Sequence, residues 1–85
     1  MKSCEIQFTK EAVKDFKKLT RKLREKLKEI LVNSIAPDPQ GGKRLVGDLT
    51  GFFSVRLSFK DRIVYSIDET NRMVFIHRVR THYGE

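Results

Sequence analysis

The apolar residues of this chain change their period partway along it, and that change limits the fold more than any other feature. Ala12, Val13, Phe16 and Leu19 recur at helical spacing, and Leu23, Leu27, Ile30, Leu31 and Ile35 repeat the pattern over RKLREKLKEILVNSI. After residue 50 the period becomes two. In GFFSVRLSF, Phe53, Val55, Leu57 and Phe59 take one face and Ser54, Arg56 and Ser58 the other; Ile63, Tyr65 and Ile67 then alternate with Arg62, Val64 and Ser66. Between the two regimes lies APDPQGG, residues 36–42, which holds both prolines and reads as an irregular connector.

Short signals fill in the rest. CEIQFT, residues 4–9, alternates Ile6 and Phe8 with polar neighbours and predicts a strand. Thr9 is placed to cap the first helix, with Glu11 in its first turn, and Thr20 to break or cap before the second. Lys60-Asp61 predicts a tight turn between two strands, and DETN, residues 68–71, the next turn. MVFIHRVR, residues 73–80, is apolar on both faces at its start, as a central strand is, and becomes basic toward its end.

The expected architecture is α+β: an N-terminal strand, a two-helix hairpin and an antiparallel β-meander, in two layers, with the helices on one face of the sheet. The 85 residues predict one domain, 1–85, because neither half is large enough to stand alone. A domain of this size hides a modest share of its chain surface, so a partner that covers apolar surface would add stability. The other sheet face stays open and carries Arg56 and Arg62.

Charge points to a polyanion. The chain carries 18 Lys and Arg against 11 acids, a net +7. Such a field concentrates nucleic acid, acidic protein segments or anionic membranes. Lysines predominate through residue 28, arginines from residue 43 onward. The arginine fork matches phosphate oxygens, so the second half is where phosphate contact is expected. Cys4 is the only cysteine and makes neither a disulfide framework nor a cysteine metal site. No stretch is long enough to span a bilayer and no secretory leader is evident, so a cytoplasmic location, without membrane association, is expected. No motif calls for a metal or a cofactor. His77 and His82 have opposite parity on a strand and do not predict a shared metal.

RNA supplies its own nucleophile. Attack by a 2′-OH on the adjacent phosphate needs a base, charge stabilisation at the phosphoryl oxygens and an acid for the leaving 5′ oxygen. Histidine suits the proton transfers and arginine or lysine the charge. Arg56, Arg62, Arg80, His82 and Tyr83 supply those types, and a tyrosine can also stack on a base. Taken singly, each has a plainer role: an exposed terminal His82, a packed Tyr83, a turn-side Arg62, solvated lysine faces. His77, inside an apolar strand, is read as structural. The conjunction carries the case.

LTGFFSVRLSFKDRIVYSIDE followed by RVRTHY resembles the RelE/ParE superfamily of toxins from toxin–antitoxin systems, and in particular its YoeB (Txe) branch of ribosome-dependent mRNA endonucleases. The resembling elements are Leu49-Thr50-Gly51, Phe52-Phe53, Ser54, Arg56, Arg62-Ile63-Val64-Tyr65 and Arg80-Thr81-His82-Tyr83. Residues 43–83 resemble the family closely; the preceding strand and helices fit in pattern and length. The resemblance implies a two-layer, microbial-RNase-like fold. It implies that Arg62 stabilises the phosphoryl charge, that His82 is the general acid and that Tyr83 positions or protonates. Lys43, Arg44, Arg56 and Arg80 would bind phosphate or RNA backbone. The implied partners are mRNA in the ribosomal A site and an acidic antitoxin that wraps the toxin, giving a toxin–antitoxin hetero-oligomer. One position departs: the family glutamate assigned as general base is Lys43 here, and a second family lysine is Val46. Lysine there serves as a base only with a much depressed pKa, and otherwise binds phosphate; RelE-type relatives use lysine and arginine in place of the acid–base pair. Two other readings remain open: a ParE-like inhibitor of gyrase, and a basic RNA- or ribosome-binding module without catalysis.

Overall fold

The computed structural model describes residues 3–81. Strand β1 (Glu5–Phe8) leads to helices α1 (Lys10–Lys18) and α2 (Arg21–Ile30); β2 (Lys43–Arg44), β3 (Phe52–Arg56), β4 (Asp61–Asp68) and β5 (Met73–Thr81) follow. The five strands form one sheet in the order β1-β5-β4-β3-β2. β3, β4 and β5 pair antiparallel, as their alternation predicts, and β1 pairs parallel with β5.

Both helix starts follow the expected chemistry. Thr9 and Thr20 accept from the backbone N–H of Ala12 and Leu23, each at 3.2 Å, and so satisfy one otherwise orphaned donor apiece. The hairpin between the helices is closed by Arg24. Its guanidinium donates to the carbonyls of Phe16 (3.3 Å) and Lys17 (2.9 Å) at the C-terminal end of α1 and lies over the Phe16 ring. The helical path beyond Ile30 widens into a turn in which the Ala36 N–H donates to the Leu31 carbonyl, five residues back. Leu31 and Ile35 thereby both stay buried while Val32 faces outward.

The core lies between helices and sheet. Ala12, Leu27, Leu31 and Ile35 meet Phe53, Leu57, Ile63, Tyr65, Val74, Ile76 and Val79 in one buried cluster. One expectation fails. Phe59, placed by alternation on the core face, is 90% exposed. β3 ends at Arg56 and the chain turns through residues 57–60, where the Leu57 N–H donates to the Asp61 carbonyl at 2.8 Å. In place of the usual two-residue turn pair, Ser58 organises this loop: its hydroxyl donates to the Asp61 carboxylate at 2.6 Å and accepts from the Asp61 N–H at 3.2 Å. β2, for which the sequence offers no signal, is two residues long and too short to carry a period of its own.

Candidate phosphate-binding face

β3 and β4 pair so that Arg56 stands opposite Arg62, and β4 and β5 pair so that Arg62 stands opposite Arg80. Three strands thus contribute one arginine each to a single transverse row. One step along the sheet, Lys43 stands opposite Ser54, Ser54 opposite Val64 and Val64 opposite Arg78. Because pairing partners share a face, Lys43, Ser54, Arg56 and Arg62 lie on the side of the sheet away from the helices.

Among the described residues no carboxylate forms an ion pair with Lys43, Arg56 or Arg62. Arg62 donates only a long bond, 3.4 Å, to the hydroxyl of the buried Ser54. Like charges directly opposite one another across a strand pair repel. A row of this kind suits an anion that bridges the guanidinium groups, as a phosphate does through its several acceptor oxygens.

The expected site residues divide into three sets. Lys43, Arg56, Arg62 and Arg80 are brought together by register. Arg44 is not: it stands opposite Phe53, a core-face residue, with its guanidinium 5.6 Å from that ring and 3.4 Å from Gln40 Oε1. Odd and even neighbours on a strand point to opposite faces, and this is why Lys43 and Arg44 part company. His82 and Tyr83 lie outside the described residues.

Two structural locks hold the face in place. Tyr65, fully buried, donates from its hydroxyl to the Pro39 carbonyl at 2.6 Å and pins the connector ahead of Lys43. A Cβ at Gly42 would collide with that hydroxyl, so only glycine lets the connector pass. Burial pushes the Tyr65 pKa up, and the hydroxyl stays protonated as a donor. On the other side, β1 ends at Phe8 while β5 runs on to Thr81. Asp15 of α1 supplies an acceptor there: its carboxylate takes the Val79 N–H at 3.0 Å and the Arg78 guanidinium at 2.9 Å.

His77 occupies a place that sequence reasoning missed. A bulge at Val64/Tyr65 pairs Val64 with Arg78 and Tyr65 with Ile76, leaving His77 without a partner on β4. Its ring lies 4.8 Å from Phe52 and its Nε2 2.7 Å from Ser66 Oγ, on the arginine-bearing face. Strict alternation already puts residue 77 opposite in sense to Val74 and Ile76, so parity was the available signal; the apolar neighbours obscured it.

Among the described residues, no helix is long and apolar enough to cross a membrane. The fold is similar to a chain of the toxin–antitoxin complex RelBE2 from Mycobacterium tuberculosis, at 30% identity over 96% of this chain and 94% of that one, with a TM-score of 0.87. It is similar also to the YoeB dimer from Staphylococcus aureus (27% identity, 95% and 99% covered, TM-score 0.77) and to the RelBE toxin–antitoxin complex of E. coli (26%, 94% and 98%, 0.77). No curated protein sequence matches the chain. The profile of the ParE-like toxin of type II bacterial toxin–antitoxin systems matches residues 6–84. With nearly its whole length matched by that profile, and with the fold of RelE and YoeB toxins, the chain belongs to the ParE-like toxin family of type II bacterial toxin–antitoxin systems.

Proposed function

We propose that this toxin is an endoribonuclease that cuts mRNA in the ribosomal A site, and that an acidic antitoxin silences it. The observation that carries the reading is the Arg56–Arg62–Arg80 register row, with no carboxylate among the described residues paired to Arg56 or Arg62. The 2′ oxygen attacks the adjacent phosphorus as its proton passes to solvent water, the bond from phosphorus to the 5′ oxygen breaks, and that oxygen takes up a proton. The products are a 2′,3′-cyclic phosphate and a 5′-hydroxyl. Charge on the non-bridging oxygens grows along this path, and preorganised guanidinium groups oppose its cost.

In this reading Arg62, at the centre of the row, holds the phosphoryl oxygens, while Arg56, Arg80 and Lys43 bind the neighbouring backbone. His82 donates the proton to the 5′ oxygen and Tyr83 orients or assists that transfer. Both follow Thr81, one residue beyond the register position of Arg80. Arg44, turned toward the other face, has a lesser part, at the rim.

The test compares wild type, Arg62→Ala and His82→Gln, each expressed from a tightly controlled promoter, with mRNA 5′ ends mapped. Wild type is expected to arrest growth with cuts inside translated codons, and both variants to lose on the order of a hundred-fold or more in cutting. Equal toxicity in all three, with intact mRNA and double-strand DNA breaks, overturns this reading in favour of gyrase inhibition. Ribosome binding without any cut leaves a non-catalytic module.

A further inference from the structure

Two rows along the open face from the arginines lies a cluster that phosphate chemistry does not use. Phe52 stands opposite Ser66, and Ser66 opposite Phe75. The unpaired His77 turns to the same face and lies against Phe52, the two rings 4.8 Å apart and tilted by 38°. Ser66 Oγ bonds the Nε2 of His77 at 2.7 Å and fixes the imidazole in that pose. The helices cover the other side of the sheet, so this aromatic pair does not build the core.

Its chemistry suits a nucleobase. Aromatic faces stack on any base, and single strands are recognised in this way when bases are splayed from their stack. Nε2 is engaged by Ser66, and among the described residues nothing bonds Nδ1. Burial lowers the His77 pKa, so near neutral pH the ring is uncharged and offers Nδ1 to a base edge as donor or acceptor, according to tautomer. Phe52 and Arg56 are four residues apart on β3, roughly 13 Å at the usual strand rise. A single nucleotide does not reach both, but a short strand running across the face does. The polycationic row supplies the charge complement for that strand.

We propose that Phe52, His77 and Ser66 form a nucleobase subsite for single-stranded RNA, in which the base of a nucleotide near the scissile phosphate stacks on the Phe52–His77 pair. The subsite rests on the ribonuclease reading above. It holds the base that sits beside the cut.

The experiment is single-turnover cleavage of ribosomes programmed with mRNAs in which each nucleotide of the A-site codon and its two neighbours is made abasic in turn. Wild type, Phe52→Leu and His77→Asn are compared, each checked for a native melting transition. At one position the abasic change is expected to slow wild type on the order of ten-fold. Phe52→Leu is expected to slow cleavage of the intact mRNA by a similar factor and to lose nothing more when that base is absent; His77→Asn behaves likewise, with a smaller loss. Wild type that leaves programmed ribosomes uncut overturns both the ribonuclease reading and the subsite. Wild type that cuts, with abasic and Phe52→Leu losses multiplying at every position, overturns the subsite alone.

Discussion

Arg56 and Arg62 face each other directly across β3 and β4, and no acidic residue among those described separates or pairs them. Cross-strand partners sit about 5 Å apart at Cβ, where two like charges raise the free energy of the folded state. A structural residue at either position would lower it. Local cost without a structural return is what a site looks like.

The repulsion can be measured. Arg56→Gln removes the charge of an exposed side chain and keeps the first part of its aliphatic stem. We expect the melting temperature to rise by a few degrees at low ionic strength, from roughly half a kcal/mol of relieved repulsion. Because both groups are near solvent, the gain should shrink in about 0.5 M salt. A rise that ignores salt would assign it to strand propensity and not to charge. Binding of RNA by the variant should weaken, with a shallower salt dependence.

Asp15 predicts the opposite balance. It is a buried carboxylate on a helix that serves a strand: it accepts from Val79 N–H and from Arg78, where β5 has outrun β1. Asp15→Ala removes the acceptor and leaves a buried N–H to find another. A loss of about 2–4 kcal/mol is expected, since broken charged hydrogen bonds in partly buried sites fall in that range. Thermal denaturation should show a drop of roughly 10–20 °C for a domain of this size. A change within a few degrees would mean that the end of β5 is held by something else.

His77 carries the pH dependence. Burial lowers its pKa below the ordinary histidine value, so the unfolded chain binds the proton more readily than the folded one. Stability from this group is therefore complete above about pH 6.5 and declines as pH falls from there through the folded-state value. Urea titrations from pH 8 to pH 5 should show this decline in wild type, on top of whatever the carboxylates add at lower pH. In His77→Asn the part of the slope just below pH 6.5 should flatten. An unchanged slope would place the titration elsewhere.

Much of this architecture was legible one residue at a time. The 3.6 and 2.0 periods located both helices and the three long strands, and Thr9 and Thr20 marked the helix starts because a hydroxyl at an N-cap acts within three residues. Alternation likewise put Arg56 and Arg62 on the face opposite the core. It failed at Phe59, where the period ran on through a loop that Ser58 and Asp61 close by side-chain bonds; at His77 it gave the right face, and the apolar neighbours obscured it.

Local pattern fixes which side of its own strand a residue takes, and nothing in that pattern says which residue of another strand it will meet. That Arg56, Arg62 and Arg80 fall in one row is a matter of register, set by the β3–β4 loop and by the bulge at Val64 and Tyr65. The parallel docking of β1 on β5, the reach of Asp15 across 64 positions to Val79, and the separation of Lys43 from Arg44 at a sheet edge arise the same way. Periods follow from bond geometry within a few residues. Neighbours across the sheet follow from the cooperative burial of the whole core, and only the folded chain decides them.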